Sequence, residues 1–296
     1  MLIGFAGLGR MGRPMAAHLA RAGHTVLAYD PAVERAPEGV TVLYSVDELA
    51  VVPLSISMLP DGESTRALVV DGLREVAAGH LHIVMGTVGP EVVRELAGRP
   101  QLELIDAPVS GSVSMAETAA ITTMVGATPE QYERVRPVLA AMTAAQFHAG
   151  PVGSGSAAKL AVNAVLAGLS QAVAEGLLLA EAGDLDLATF YDILRNSAAG
   201  APYVGYKQQA YLAPDAAPVA APVSLIRKDL GLALDLAHRH GLTLPGSEAA
   251  LAVLDDAIAD GLGQADMARI LTALRRRSRA PLRGTLSTPQ QTGASR

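Results

Sequence analysis

Residues 2–12 read LIGFAGLGRMG, and residues 13–23 continue RPMAAHLARAG. A short apolar run meets a turn with glycines at 7, 9 and 12, and the turn opens a helix-like stretch closed by Gly23. Strand, turn and helix together are the setting in which G-x-G-x-x-G acts as a dinucleotide fingerprint. Gly7 permits the tight turn, Gly9 lets a pyrophosphate approach the backbone, and Gly12 lets the helix pack on the strand. Leu8, Arg10 and Met11 complete the turn. The phosphates then face a helix N-terminus, whose unpaired N–H groups favour negative charge. A turn that merely needs glycine is the plainer alternative.

The second apolar run, TVLAYD, ends at Asp30, about where a carboxylate binds the adenosine ribose hydroxyls and repels a 2′-phosphate. This favours NAD over NADP, although Arg35 leaves room for a phosphate. Asp30 also stands before Pro31, so it can equally cap a helix starting there.

The same alternation continues outward. TVLYS, LSISMLP, HIVMG, LELIDAP, AITTMVG and AQFHAG read as further strands. MAAHLARAG, VDELA, TRALVV, VVRELAG and EQYERVRPVLAAM supply helices between strands, with SVDE as a capping box. Strand and helix in alternation predict an α/β fold with a Rossmann-type, doubly wound parallel sheet. After Gly155 the strand-like runs stop and long helical patterns follow. The expected domains are a dinucleotide-binding domain over 1–157, an all-α substrate and dimerisation domain over 158–278, and a flexible tail over 279–296.

Composition narrows the classes. The chain has 296 residues, half of them hydrophobic, no cysteine and a formal net charge of −6. Mild acidity argues against a nucleic-acid partner, and RRRSR at 275–279 reads as a solvated helix end. The absence of cysteine removes disulfides and thiolate metal sites. The seven histidines show no metal-ligand spacing, so no metal is expected. The apolar opening is short, lacks a basic leader and is broken by glycine, and the run 159–179 carries Lys159, Asn163, Gln171 and Glu175. Neither a targeting signal nor a membrane span is expected, and a cytoplasmic protein is.

Four stretches in order, GFAGLGRMGRPMAAHL at the N-terminus, DAPVSGS at 106–112, GSGSAAKLAVN at 153–163 and KDL at 228–230, resemble the β-hydroxyacid dehydrogenases of the 3-hydroxyisobutyrate dehydrogenase type. The resemblance covers nearly the whole chain. It implies an NAD(P)-dependent dehydrogenase or semialdehyde reductase, acting on a small carboxylate substrate as a homodimer or homotetramer. Ser110, Gly111 and Ser112 follow a strand and a proline, where hydroxyls and backbone N–H groups can cradle a carboxylate. The family grips its substrate carboxylate there. The usual pattern is Ser-Gly-Gly, so Ser112 is a departure, and Ala119-Ala120 replaces a common Gly-Thr. A Cβ restricts φ at the changed positions. A plain surface turn is the alternative for this loop.

Between Arg136 and Glu175, Lys159 is the only charged side chain apart from His148, and Asn163 lies one helical turn beyond it. Desolvation lowers an ammonium's pKa toward the range useful for proton transfer near neutral pH. Lys159 thus reads as the general acid and base for the substrate hydroxyl, with Asn163 holding the same oxygen or orienting the lysine. A lysine reaching along an apolar helix to water is the bland alternative. By resemblance, Met58, Leu59, Pro60, Thr87 and, more weakly, Ser64 contact the dinucleotide. Lys228 reaches across the cleft to the cofactor, unless it is simply a charged helix start.

Three competing functions remain in view. Imine reductases share this architecture but typically carry another residue at the lysine position and an NADP-type second strand. A decarboxylating sugar-phosphate dehydrogenase is longer and has a histidine just before its lysine. A dehydrogenase-like binding protein without turnover is the rival from another class.

Overall fold

The structure, a computed structural model, describes residues 1–279 apart from Glu34 and Gln101. The expected tail, beyond its first residue, lies outside the described residues. Along the chain come β1 (Leu2–Ala6), α1 (Gly12–Arg21), β2 (Thr25–Tyr29), β3 (Val40–Val42), β4 (Leu54–Ser57), α2 (Gly62–Ala67), β5 (His80–Val84), α3 (Pro90–Ala97) and β6 (Leu102–Asp106). Then follow β7 (Val109–Ser110), α4 (Val113–Glu117), β8 (Thr122–Gly126), α5 (Pro129–Ala140) and β9 (Ala145–Gly150). Only helices come after them: α6 (Ser154–Ala182), α7 (Leu187–Asn196), α8 (Pro202–Leu212), α9 (Val223–Arg239), α10 (Pro245–Ala259) and α11 (Ile270–Arg279).

The strands form one nine-stranded sheet in the order β3-β2-β1-β4-β5-β6-β8-β7, with β9 beside β8. From β3 to β6 every pairing is parallel. β8 runs antiparallel to β6 and β7, and β9 is parallel to β8. The reversal follows from the short link through β7 and α4, which provides no crossover helix over the sheet, whereas α5 provides one between β8 and β9. Strand order turns back on itself between β1 and β4, and at such a switch point the loops leaving the strands' C-terminal ends diverge to leave a crevice.

Continuous burial of β4 and β5 fits a sheet covered on both faces. One face packs Ile3, Phe5, Ile56, Ile83 and Ile105 against Met15 and Leu19 of α1 and Val135, Val138 and Leu139 of α5. Val84, Leu102 and Leu104 belong to a second cluster with Val93 and Leu96 of α3. Local signals hold where their chemistry is specific: Gly23 closes α1 at φ +86°, and the Glu48 carboxylate accepts the N–H groups of Tyr44 and Ser45, each at 3.0 Å.

In the helical half Leu177, Tyr191, Leu230, Val253 and Leu271 share a core. Its spine is α6, 29 residues long with a mean hydropathy of 1.5 over its most apolar window, enough by length and composition to cross a bilayer. One side of it packs against β8, α9, α10 and α11, while Val162, Val165 and Leu179 are exposed. Three arginines of the RRRSR stretch are ion-paired, not merely solvated: Arg275 with Glu181 of α6, Arg276 with Asp260 at 2.9 Å and Arg277 with Asp256 at 3.2 Å.

Candidate active site

A cavity of about 550 Å³ lies between the C-terminal edge of the sheet and the helices. The glycine-rich turn forms one wall, and two of its glycines answer to packing. Gly7 has φ +94°, and a Cβ there would come within 2.5 Å of the Met58 carbonyl oxygen; one at Gly12 would come within 1.9 Å of the Gly7 carbonyl oxygen. A Cβ at Gly9 would meet nothing within 4 Å. Gly9 lines the cavity, so its bareness leaves open the backbone cradle that a pyrophosphate needs. On this observation the residues present fit a dinucleotide.

Asp30 also lines the cavity. Its carboxylate accepts the Leu8 N–H at 2.7 Å, bracing the glycine turn, and the Ala32 N–H at 2.9 Å. What it caps is a turn at 31–32 and not a helix. Met58, Leu59 and Pro60 leave β4, and Gly86 and Thr87 follow β5; all five line the cavity. Gly86 is a position the sequence reading passed over: a Cβ there would press to 2.3 Å from the Leu59 carbonyl oxygen. Ser64 is absent from the wall, its N–H and hydroxyl bonded to Asp61 Oδ1 at 2.9 and 2.7 Å.

Of the 110–112 loop, Gly111 lines the cavity together with Val109 and Val113, while Ser110 sits in β7. The Ser112 hydroxyl accepts the Met115 N–H at 3.3 Å and caps α4. Ser112 has φ −87°, so the departure from glycine leaves no strain at that position. Ala119 is different, with φ +53°.

The helical half contributes Lys159, Asn163, Leu166, Leu225, Ile226, Lys228 and Asp229 to the same cavity. Asn163 donates from Nδ2 to Asp229 Oδ2 at 2.7 Å. Lys228 donates from Nζ to the carbonyl oxygens of Pro60 at 2.9 Å and Thr87 at 2.8 Å, and stands 2.9 Å from Asp229 Oδ1. It therefore spans the cleft. Burial pushes the Lys159 ammonium below its ordinary range, the Asp229 carboxylate pulls it back up, and Lys228 adds to the downward push. Asp229 escaped the sequence reading. Its signal is a carboxylate on the buried stripe of α9, among Ile226, Leu230 and Ala233.

Ala220, Ala221 and Pro222 close the cavity as a strap. Asp266 accepts the Ala220 N–H at 2.8 Å and is itself paired with buried Lys207 at 2.7 Å. Arg10 of the glycine turn donates to the Val219 carbonyl oxygen. Among the described residues no group of His, Asp or Glu is arranged to hold a metal ion.

Residues 2–150 match the family model described as the NAD binding domain of 6-phosphogluconate dehydrogenase. Residues 153–274 match the one described as the NAD-binding domain of NADP-dependent 3-hydroxyisobutyrate dehydrogenase. The 3-hydroxyisobutyrate dehydrogenase of Pseudomonas aeruginosa is 38% identical over 252 residues, covering 78% of this chain and 84% of its own. The NAD-dependent L-serine dehydrogenase of the same organism is 32% identical over 283 residues, covering 89% and 94%. The solved structure of Mycobacterium tuberculosis 3-hydroxyisobutyrate dehydrogenase with L-serine superposes with a TM-score of 0.84 at 32% identity, over 93% of this chain and 99% of that one.

Proposed function

This chain belongs to the β-hydroxyacid dehydrogenase family, and from that premise we propose that it oxidises the hydroxyl group of a small β-hydroxy acid, or reduces the matching semialdehyde, with Lys159 as general acid and base. It is an NAD(P)-dependent oxidoreductase acting on hydroxyl groups. The observation that carries the proton-transfer reading is the setting of Lys159. It lines the cavity, burial lowers its pKa, and the charges that act on it are those of Asp229 and Lys228.

NAD, when bound against the glycine turn, supplies the hydride acceptor. Neutral Lys159 takes the proton of the substrate hydroxyl at Nζ in the oxidising direction, and the ammonium returns it to the carbonyl oxygen in the reducing one. Asn163, held by Asp229, keeps its second amide hydrogen for that same oxygen. The 110–112 loop receives the substrate carboxylate, with Gly111 at the wall and the backbone amides of Ser110 and Ser112 beside it. Met58, Leu59, Pro60, Thr87 and Lys228 border the dinucleotide, and Ser64 supports them from behind through Asp61. Asp30 favours NAD, because a 2′-phosphate beside its carboxylate is repelled.

Exposed Val162, Val165 and Leu179 lie along α6, with Ile193 and Tyr206 on α7 and α8. We infer from these side chains a homodimer or homotetramer whose contact includes them, and the cysteine-free composition is compatible with the cytoplasm. Light scattering tests the assembly.

The deciding assay is a panel of small hydroxy acids and semialdehydes, run with both cofactors on the wild type and Lys159→Ala. The substitution is expected to lower kcat by about 10²- to 10⁴-fold while cofactor binding persists. Near wild-type turnover would sink the mechanism. NADH is expected to outperform NADPH by about tenfold or more, equivalent to about 1.4 kcal/mol. The reverse preference would overturn the role given to Asp30.

A further inference from the structure

Asp106 ends β6 with no solvent exposure and lies outside the cavity wall. Its Oδ1 accepts the Gly153 N–H at 2.7 Å and its Oδ2 accepts the Ser156 N–H at 2.5 Å. Those amides belong to the start of α6, where backbone donors have no partner within the helix. A carboxylate is well suited to take them, since the bonds are charge-assisted and the helix dipole favours an anion there. Lys159 follows Ser156 by three residues, or about one helical turn.

The space around this carboxylate is closed on all sides. Asp106 pairs with Gly126 in the sheet, and a Cβ at Gly126 would come within 2.2 Å of Asp106 Oδ1. A Cβ at Gly155 would come within 2.3 Å of the Met124 carbonyl oxygen and 2.9 Å of the Gly126 nitrogen. Gly153 takes φ +92°, which favours glycine. Three glycines therefore let β6, β8 and α6 meet backbone to backbone on one carboxylate. Val109 and Gly111 of the substrate-side loop follow within five residues of Asp106, so that loop and the lysine-bearing helix start from the same point. Burial pushes the Asp106 carboxyl above its ordinary range, against the bonds from Gly153 and Ser156 that hold it down.

We propose that Asp106 is a positioning residue for the reaction, fixing the distance between the carboxylate cradle at 110–112 and the Lys159 ammonium by holding α6 to the end of β6. This rests on Lys159 being the proton-transfer group. Asp106 touches neither substrate nor cofactor; it acts through the first turn of α6. A misplacement of about 1 Å in a reacting geometry can cost about a hundredfold in rate, which is the scale expected once the pin is lost.

The test uses the full-length enzyme. Asp106→Asn keeps the shape but presents an amide N–H toward one backbone donor. Asp106→Ser is smaller and so fits the closed space, and its hydroxyl can accept at most part of what the carboxylate takes from the two N–H groups. NADH sites are counted by fluorescence titration, and kcat for semialdehyde reduction is expressed per site, so unfolded protein drops out. Asp106→Asn is expected to lower kcat per site by about 10- to 100-fold, and Asp106→Ser by at least about threefold, with the Kd for NADH within about twofold of wild type. Should Asp106→Asn yield no folded enzyme, Asp106→Ser decides, with a threefold loss per site as its threshold. A kcat per site within twofold of wild type in both variants overturns the proposal, as does a loss matched by equal weakening of NADH. Lys159→Ala run alongside separates the two ideas: if it is inactive while Asp106→Asn is normal, only the positioning role falls, and if it is active the underlying reading falls.

Discussion

Ala119→Gly is expected to stabilise the protein, although it removes a methyl group. Helix α4 ends in a closed pair of backbone bonds, from the Ala119 N–H to the Ala116 carbonyl at 3.2 Å and from the Ala120 N–H to the Met115 carbonyl at 2.8 Å. This is the closure that puts the residue after the helix cap in the left-handed region, normally a glycine position. Ala119 accordingly has φ +53°. An L-residue with a Cβ loses roughly 1–2 kcal/mol there. Glycine removes that strain but adds back about 0.4–1 kcal/mol of unfolded-chain entropy. The net gain is about 0.5–1 kcal/mol. At about 2–4 °C per kcal/mol for a body of this size, Tm rises by about 1–4 °C, and the Ala120 amide exchanges more slowly. Ala120→Gly is the internal control: Ala120 is not left-handed, so only the entropy loss applies and Tm falls. If both variants move Tm the same way, or Ala119→Gly lowers it, the backbone at 119 is not strained and the reasoning fails.

Acid should weaken the sheet half through His82, which burial, aided by His80, pushes down to about 3 from 6.5. The unfolded chain binds the proton first, so stability is intact above about pH 6.5 and is lost as pH falls toward 3. At pH 5 the loss is about 2 kcal/mol, and denaturant melts of wild type and His82→Gln at pH 7 and 5 should show a shallower fall in the variant. Lys207→Met is expected to cost about 3–5 kcal/mol, because Asp266 then keeps a buried charge without its ammonium. A loss below about 1 kcal/mol in urea unfolding of the helical half would contradict this. Asp229→Asn removes the group that holds the Lys159 ammonium up, so the kcat limb titrating that lysine should move to lower pH. An unmoved or alkaline-shifted limb would refute the coupling.

Most of the fold was readable because its signals are local. Apolar runs marked eight strands, and Gly7, Gly12 and Gly23 occupy positions that demand glycine. β7 was not seen, since two residues show no period. The antiparallel turn of β8 depends on how a short link closes, which no strand pattern records. At the site, Lys159, Asn163 and Lys228 stood out by isolation, spacing and resemblance. Asp229 and Asp106 did not, because their meaning lies in partners far along the chain: Asn163 for one, and the amides of Gly153 and Ser156 for the other. Ser112 carries a role its sequence did not signal, since its hydroxyl accepts the Met115 N–H as a helix cap.

Lys228 has a consequence in time as well as in space. It belongs to α9, yet its ammonium is bonded to two carbonyl oxygens leaving the sheet. Separating α9 from the loops after β4 and β5 breaks both bonds. At a net of about 1.5 kcal/mol for each bond to a charged group, the pair amounts to about 3 kcal/mol, or an open cleft roughly one part in a hundred of the time. Shortening that one side chain should therefore change how long a bound dinucleotide resides more than how it is held. A side chain that performs no chemistry thus helps to set how rigid the site is.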